Sequence, residues 1–339
     1  MNNRPSVSIL LPFHNAATTL EECLDSIQAQ TLTHYELLAV DDRSADESIA
    51  IMKHYASTDR RIRTLNNQGQ GLVSALNTGL KASAAHLIAR MDADDRMHPQ
   101  RLARQFSHLQ SRPGLTLLGC CAKPFPEECI STGFQEYMNW QNGCLSADHI
   151  AEEIYVESPF AHPTVMFRKE TVVQLGGYSE GEFPEDYELW LRFHQAGYAM
   201  EKLPDRLLEW RDYPERTSRT DPRCSRVAFD RLRARFLAQD PRLTNRRDDF
   251  VIWGAGRKTR LRCRLLLEKG FQPSAWIDID PKKIGNIING VPVVAPDWLV
   301  QGVRKFVLVY VANHGAKDII ANDLKSMNYQ RGRDYLMVG

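Results

Sequence analysis

The apolar run Leu87-Ile88-Ala89-Arg90-Met91 has the character of a buried strand, yet it ends in Asp92-Ala93-Asp94-Asp95. Carboxylates this close repel one another, and burying them without a partner is expensive. Two readings meet the observation. One is a solvated turn at a strand end, where Asp is at home. The other is a hard divalent cation, Mn2+ or Mg2+, held on carboxylate oxygens together with a diphosphate. Alternate residues of a strand share a side, so Asp92 and Asp94 converge while Ala93 turns away. Two other apolar runs also end in polar groups, at Pro12-Phe13-His14-Asn15 and at Asp41-Asp42, and a further acidic pair, Glu185-Asp186, opens an amphipathic stretch.

The elements that must carry these groups alternate. Strands are expected at 6–11, 36–40, 62–65 and 86–91, and helices at 17–29, 48–56 and 71–82, where apolar residues recur at helical spacing. Thr18 or Thr19 could cap the first helix, with Glu21 and Glu22 in its opening turn. Alternation of this kind predicts a parallel sheet covered by helices, with ligands beyond the carboxyl ends of its strands. A helix at 99–111, strands at 115–120 and 164–168, and helices at 169–175 and 185–197 follow. Residues 123–156 carry no readable pattern.

The chain has 339 residues, more than one core usually organises, which favours two domains. Lys plus Arg number 43 and Asp plus Glu 42, so no global field selects nucleic acid. No apolar run reaches the roughly 18 residues of a membrane helix, and no signal peptide opens the chain. The seven cysteines contain no CxxC pair, which argues for free thiols. A cytoplasmic protein is expected, with peripheral attachment at the inner membrane face left open.

Four stretches occur in an order that resembles the motif series of family 2 glycosyltransferases with the GT-A fold: LPFHNAATTLEECLDSIQAQT, LLAVDDRSADES, GLVSALNTGLKA and ARMDADDRMHPQRL. The resemblance covers about residues 6–215. It implies an α/β GT-A mixed sheet over residues 1–240 and an inverting transfer of sugar from a nucleotide-sugar donor to a hydroxyl acceptor. Surface polysaccharide or glycoconjugate synthesis is the setting it implies. It places Pro12 and Asn15 under the nucleotide, Asp42 on the donor base, Asp92 near the ribose and metal, and Asp94 on the metal. Arg90 would contact the nucleotide or form an ion pair, and Asp42 would otherwise cap a turn with Ser44. FPEDYELW matches the acceptor motif, with Asp186 as general base and Glu185 beside it; helix capping is the alternative for both. His162 would lie on the acceptor side or serve as a core or loop residue, and Arg211 would contact the diphosphate. UDP is the favoured carrier, with GDP or dTDP as alternatives. The acceptor would be a glycan, a lipid-linked molecule or another hydroxyl compound.

A second, smaller α/β domain is expected over 248–339, joined by the arginine-rich stretch 216–247. Its VIWGAGRKTR looks like the opening of a Rossmann-type unit, with Asp278 or Asp280 at the position of the acid. Thr259 stands where a third glycine would be. A structural or docking module, a nucleotide-type ligand site and a dinucleotide site all fit this pattern. Three rival functions stand beside the glycosyltransferase. A sugar nucleotidyltransferase would need a glycine-rich basic loop that PFHNAATT lacks. An NAD-type oxidoreductase would rest on GAGRKT alone. A non-catalytic nucleotide-sugar-binding or scaffold protein would have no need of Asp42, Asp94 and Asp186.

Overall fold

The computed structural model describes residues 4–302, 304–311 and 315–339. These group into two compact units: Ser158–Asp221 with the residues up to Ile150, and Ala151–Glu157 with Pro222–Gly339.

In the first unit β1 (Val7–Phe13), β2 (Tyr35–Asp41), β3 (Ile62–Asn66) and β4 (Leu87–Arg90) lie parallel in the order β3-β2-β1-β4. Every residue of β1, β2 and β4 is buried, which is why these strands read as continuous apolar runs. Helices Leu20–Gln28, Ser48–Thr58 and Leu72–Ala82 make the crossovers. The first buries Leu20, Cys23, Leu24 and Ile27, one stripe of a helix facing the core. Thr19 does occupy its N-cap position, but its hydroxyl makes no cap bond. It donates instead to the Ala93 carbonyl (3.0 Å), tying the helix start to the acidic loop.

The sheet continues as β4-β7-β6-β8-β5, with β5 (Arg96–Met97), β6 (Leu115–Phe125), β7 (Met166–Arg168) and β8 (Ala199–Arg211). β7 is antiparallel to β4 and β6, β5 is antiparallel to β8, and β6 and β8 are parallel. The mixed α/β sheet is the expected one, but β8 was not expected. Pro204 and scattered charges break its apolar pattern, and the β6/β8 register shifts to absorb them: Cys120 pairs with Leu203 and Cys121 with Arg206. Such bulges let a Pro sit inside a strand. Residues 123–156, unreadable in sequence, contain helices Thr132–Gly143 and Ala147–Glu153.

The second unit holds β9 (Phe250–Trp253), β10 (Ala275–Ile277), β11 (Ile287–Ile288), β12 (Val291–Val294), β13 (Phe306–Val309) and β14 (Tyr335–Met337). Their order is β11-β12-β10-β9-β13-β14, parallel except for the β11–β12 hairpin. The expected limits of 240 and 248 differ from this grouping. Helix Arg226–Leu237 belongs to the second unit: its Asp230 accepts from Arg262 (3.3 Å) on helix Arg257–Leu267. The short piece Ala151–Glu157 joins it because Tyr155 accepts the Gly339 amide (2.8 Å) and Glu153 pairs with Arg331 (2.5 Å). Neither link is visible in local sequence.

Candidate active site

The carboxyl ends of β1, β2 and β4 open onto a cavity of about 690 Å3. Of the residues singled out from the sequence, Pro12, Asn15, Asp42, Asp92, Asp94 and Arg211 line it. One wall is the β1 and β2 turns, locked together by short polar bonds. Asn15 has a left-handed backbone (φ 48°), a conformation Asn tolerates. Its Oδ1 accepts the Ala45 amide (2.8 Å), and its own amide donates to Ser44 (3.0 Å). Asp42 accepts the Gly71 amide at 3.0 and 2.9 Å and the Asn67 side-chain amide at 2.7 Å. Gly71 reaches that position with φ +84°, which its missing Cβ permits. Asp42 therefore fixes the start of the third helix while still lining the cavity.

The opposite wall is acidic. Carboxylate oxygens of Asp92, Asp94 and Asp95 lie within 4.8 Å of one another. Asp94 is pushed up from the usual carboxylate range by burial first and by Asp92 second, and the Tyr213 hydroxyl on its Oδ2 (3.0 Å) works the other way. Asp95 is 1% exposed and pushed up further, again by burial and then by its two neighbours. Its Oδ1 accepts the Arg211 amide (2.8 Å), and its Oδ2 has no hydrogen-bond partner among the described residues. An orphaned buried carboxylate oxygen beside two more carboxylates is the donor chemistry that Mg2+ or Mn2+ takes. The residues fit a hard cation.

Arg211 closes this wall. Its Nε donates to the Asp94 carbonyl (2.7 Å), its guanidinium also pairs with Glu22, and it stacks on Phe125 at 4.5 Å. Beyond it, fully buried Asp212 holds Arg216 (3.3 Å) and Arg219 (2.8 Å), and Arg216 covers Trp210 at 4.2 Å. Two cations are thus parked near the cavity on one carboxylate.

Arg90, Glu185, Asp186 and His162 do not line the cavity but gather behind Asp92. Arg90 is 1% exposed; it donates to Asp92 (2.5 Å) and to the Met91 carbonyl, while its Nε has no partner among the described residues. This is an enclosed brace on Asp92. His162 is buried, bonded to the Tyr178 hydroxyl (3.0 Å) and 3.7 Å from Glu185. Burial, then Arg90, lower its pKa, so the imidazole is held neutral. Pro184, not Glu185 or Asp186, occupies the N-cap of helix Glu185–Gln195. Asp186 accepts the Tyr187 amide (2.6 Å). Its pKa is pushed up to about 8 by burial first and by Glu185 second, while the Tyr187 amide and Arg90 oppose them. A carboxyl poised there is suited to accept a proton near neutral pH.

Sequence reasoning missed Tyr213, Thr19 and Asp95. Asp95 stood in plain view within the acidic run. Thr19 was read only as a helix cap, and Tyr213 had no signal, since only the strand pairing of β8 with β5 and β6 carries residue 213 back to the acidic loop.

A part-parallel, part-mixed sheet whose strand ends meet an acidic loop is the arrangement of the GT-A class. Residues 8–169 match the model of Glycosyl transferase family 2. The chain is 33% identical over 207 residues to the amylovoran biosynthesis glycosyltransferase AmsE of Erwinia amylovora, covering 60% of this chain and 75% of that one. It is 28% identical over 217 residues to the O-antigen biosynthesis glycosyltransferase WbnJ of Escherichia coli, covering 63% and 82%. Among solved structures it is similar in fold to S. aureus TarS 1-349 in complex with UDP-GlcNAc, with a TM-score of 0.57 at 15% identity over 78% of this chain and 71% of that one. It is also similar to the mannosyltransferase PcManGT from Pyrobaculum calidifontis, in complex with GDP-Man and Mn2+, with a TM-score of 0.50 at 21% identity over 78% and 69%. The chain belongs to glycosyl transferase family 2 and is a glycosyltransferase.

Among the described residues no helix is long and apolar enough to cross a membrane.

Proposed function

We propose that this enzyme transfers a sugar, with inversion, from a nucleoside diphosphate sugar to an acceptor hydroxyl in the synthesis of a surface polysaccharide. The observation that carries this reading is the position of Asp92. It lines the donor-sized cavity beside Asp94 and is braced by Arg90, while its charge and that of Arg90 both act on Asp186. Donor pocket and base therefore share a wall.

Asp42 and the β1 turn, with Pro12 and Asn15, form the end of the cavity suited to the nucleoside. Asp94 with Asp92 would hold the divalent cation, with Asp95 beneath them, and the cation would supply neutralising charge to the diphosphate. Asp186 takes the proton from the acceptor hydroxyl. The hydroxyl oxygen forms a bond to the anomeric carbon as the bond from that carbon to the diphosphate breaks. One displacement inverts the centre and needs only one base. Glu185 raises the basicity of Asp186, and neutral His162, tied to Tyr178, keeps Glu185 in place. Arg211 braces the acidic loop, and it or the parked Arg216 meets the diphosphate. The names of AmsE and WbnJ support the polysaccharide setting. The ligands in the TarS and PcManGT titles support a UDP or GDP carrier and Mn2+.

Calorimetric titration of UDP, GDP and dTDP with and without Mn2+, on wild type and Asp94→Ala, tests the reading. Binding of one nucleotide that needs Mn2+ and disappears in Asp94→Ala is expected. Nucleotide binding indifferent to both would remove Asp94 from the donor site.

A further inference from the structure

We propose that the second unit holds its own binding site for a phosphorylated nucleotide of mononucleotide size, in the cavity at the carboxyl ends of β9, β10 and β13. This site is separate from the donor pocket and does not depend on how that pocket works.

The topology comes first. From β9 the chain builds outward through β10 and β12 on one side, then returns to place β13 and β14 on the other. In open parallel sheets the crevice at such a reversal is where ligands sit. A cavity of about 490 Å3 occupies that place, lined among others by Gly254, Gly256, Thr259, Tyr310 and Val311. That volume suits a small organic ligand.

The lining then specifies the ligand. Helix Arg257–Leu267 begins at the cavity with Gly256 at its N-cap and no side chain capping it. Uncapped first-turn amides favour an anion. Arg257 and Lys258, its first two residues, are exposed, line the cavity and have no ion-pair partner among the described residues. Thr259 (7% exposed) and Tyr310 (4% exposed) also line it, and neither hydroxyl has a hydrogen-bond partner among the described residues. Neither oxygen is sealed away from the cavity, so both stand open to polar atoms that a ligand brings. At the mouth Ile279 and Ile319 are 72% and 63% exposed. A flat, partly apolar group between them would cover that surface. Phosphate at the helix start and a ring system at the isoleucines together describe a nucleotide.

Size follows from the same residues. Of the two acids expected at the ribose position, Asp280 accepts the Lys282 amide (3.0 Å) and pairs with Lys283 (3.6 Å), and Asp278 is spent on the loop itself. It accepts the Ala255 amide (2.9 Å), the Asp280 amide (3.0 Å) and Lys283 (3.1 Å). Thr259 fills the place of a third glycine so tightly that a Cβ on Gly254 would lie 2.9 Å from its Oγ1. The loop is shaped for one phosphate-bearing half, and an extended dinucleotide needs a second.

The test is calorimetry on the full chain in EDTA, with UDP, GDP, ADP, NAD and inorganic phosphate as probes. It is run on wild type, Lys258→Glu, Ile279→Asp and Asp94→Ala, with hydrogen exchange read over residues 254–260. Both new substitutions are at exposed positions, and circular dichroism checks their folding. One mononucleotide should bind without metal, weaken tenfold or more in Lys258→Glu and in Ile279→Asp, persist in Asp94→Ala, and slow exchange in the loop. No nucleotide binding at millimolar concentration would overturn the proposal, as would binding indifferent to both substitutions. Phosphate binding as tightly as the nucleotides would overturn the role of the isoleucines, and NAD binding tenfold tighter than any mononucleotide would overturn the size. Failure of the donor reading registers elsewhere, as loss of the Mn2+-dependent, Asp94-sensitive event alone.

Discussion

The two cavities sit at equivalent places in their own sheets, beyond the carboxyl ends of parallel strands, and are lined with opposite charge. The first presents Asp42, Asp92, Asp94 and Asp212, with its arginines held by carboxylates or carbonyls. The second presents Arg226, Arg257, Lys258, Arg262 and Lys283 against Asp278, Asp280 and Asp323. Both suit phosphates, by different physics. An acidic wall can meet a diphosphate only through a cation, which also serves bond breaking. A basic wall meets phosphate directly. On the two proposals above, chemistry would belong to the first cavity and retention of a ligand to the second.

The largest effect that would sharpen this contrast is at the base. Asp186→Asn should lower kcat for sugar transfer by about 1,000-fold while leaving nucleotide binding in both cavities intact. A small loss would break the assignment. Next, Asp94→Ala should weaken Mn2+-dependent nucleotide binding by roughly 100-fold, the several kcal/mol of a lost cation. If metal-free binding fell equally, the two cavities would not be independent.

The pH profile separates them further. Asp186 sits at about 8, so kcat/KM of the free enzyme should climb about tenfold per pH unit below that value and level above it. Asp186→Asn should flatten the limb. The sign for stability is opposite. A carboxyl with a raised folded pKa holds its proton more tightly when folded, so its burial is tolerated below the unfolded value and costs stability as pH rises towards about 8. Urea midpoints measured from pH 4 to 8 should therefore fall less in Asp186→Asn than in wild type. The smallest effect is at Tyr213→Phe, which removes one hydroxyl from Asp94. A loss of about 1 kcal/mol, read as a several-fold higher Mn2+ requirement, is expected, with no change in metal-free binding.

The parallel half of the first sheet was legible because its information is local. β1, β2 and β4 are covered on both faces, so apolar runs mark them, and their polar ends mark the cavity. Pro12, Asn15, Asp42, Asp92, Asp94 and Arg211, which line that cavity, were singled out this way or through the family motifs. What stayed hidden depends on distant pairing. β8 reads as broken because of Pro204, although β6 shifts register to accept it. Arg90 reads in sequence as a nucleotide contact or an ion pair, and only burial shows that the pair is an enclosed brace on Asp92. The piece Ala151–Glu157 carries no mark of belonging with residues 222–339, because its bonds to Arg331 and Gly339 span most of the second unit.

The two bonds from Arg211 to Asp94 and Asp95 have a consequence for how such enzymes diversify. They fasten the end of β8 to the acidic loop through one backbone amide and one backbone carbonyl, together with the Arg and Asp side chains. Everything needed to anchor the acidic loop from that side is complete at residue 213. The segment 214–221 that follows carries Arg216 and Arg219, the partners of buried Asp212, and around those two arginines it can vary without loosening the bonds of Arg211. A graft of another transferase's segment there that kept the two arginines would exchange the rim of the pocket and leave the Arg211 anchor in place.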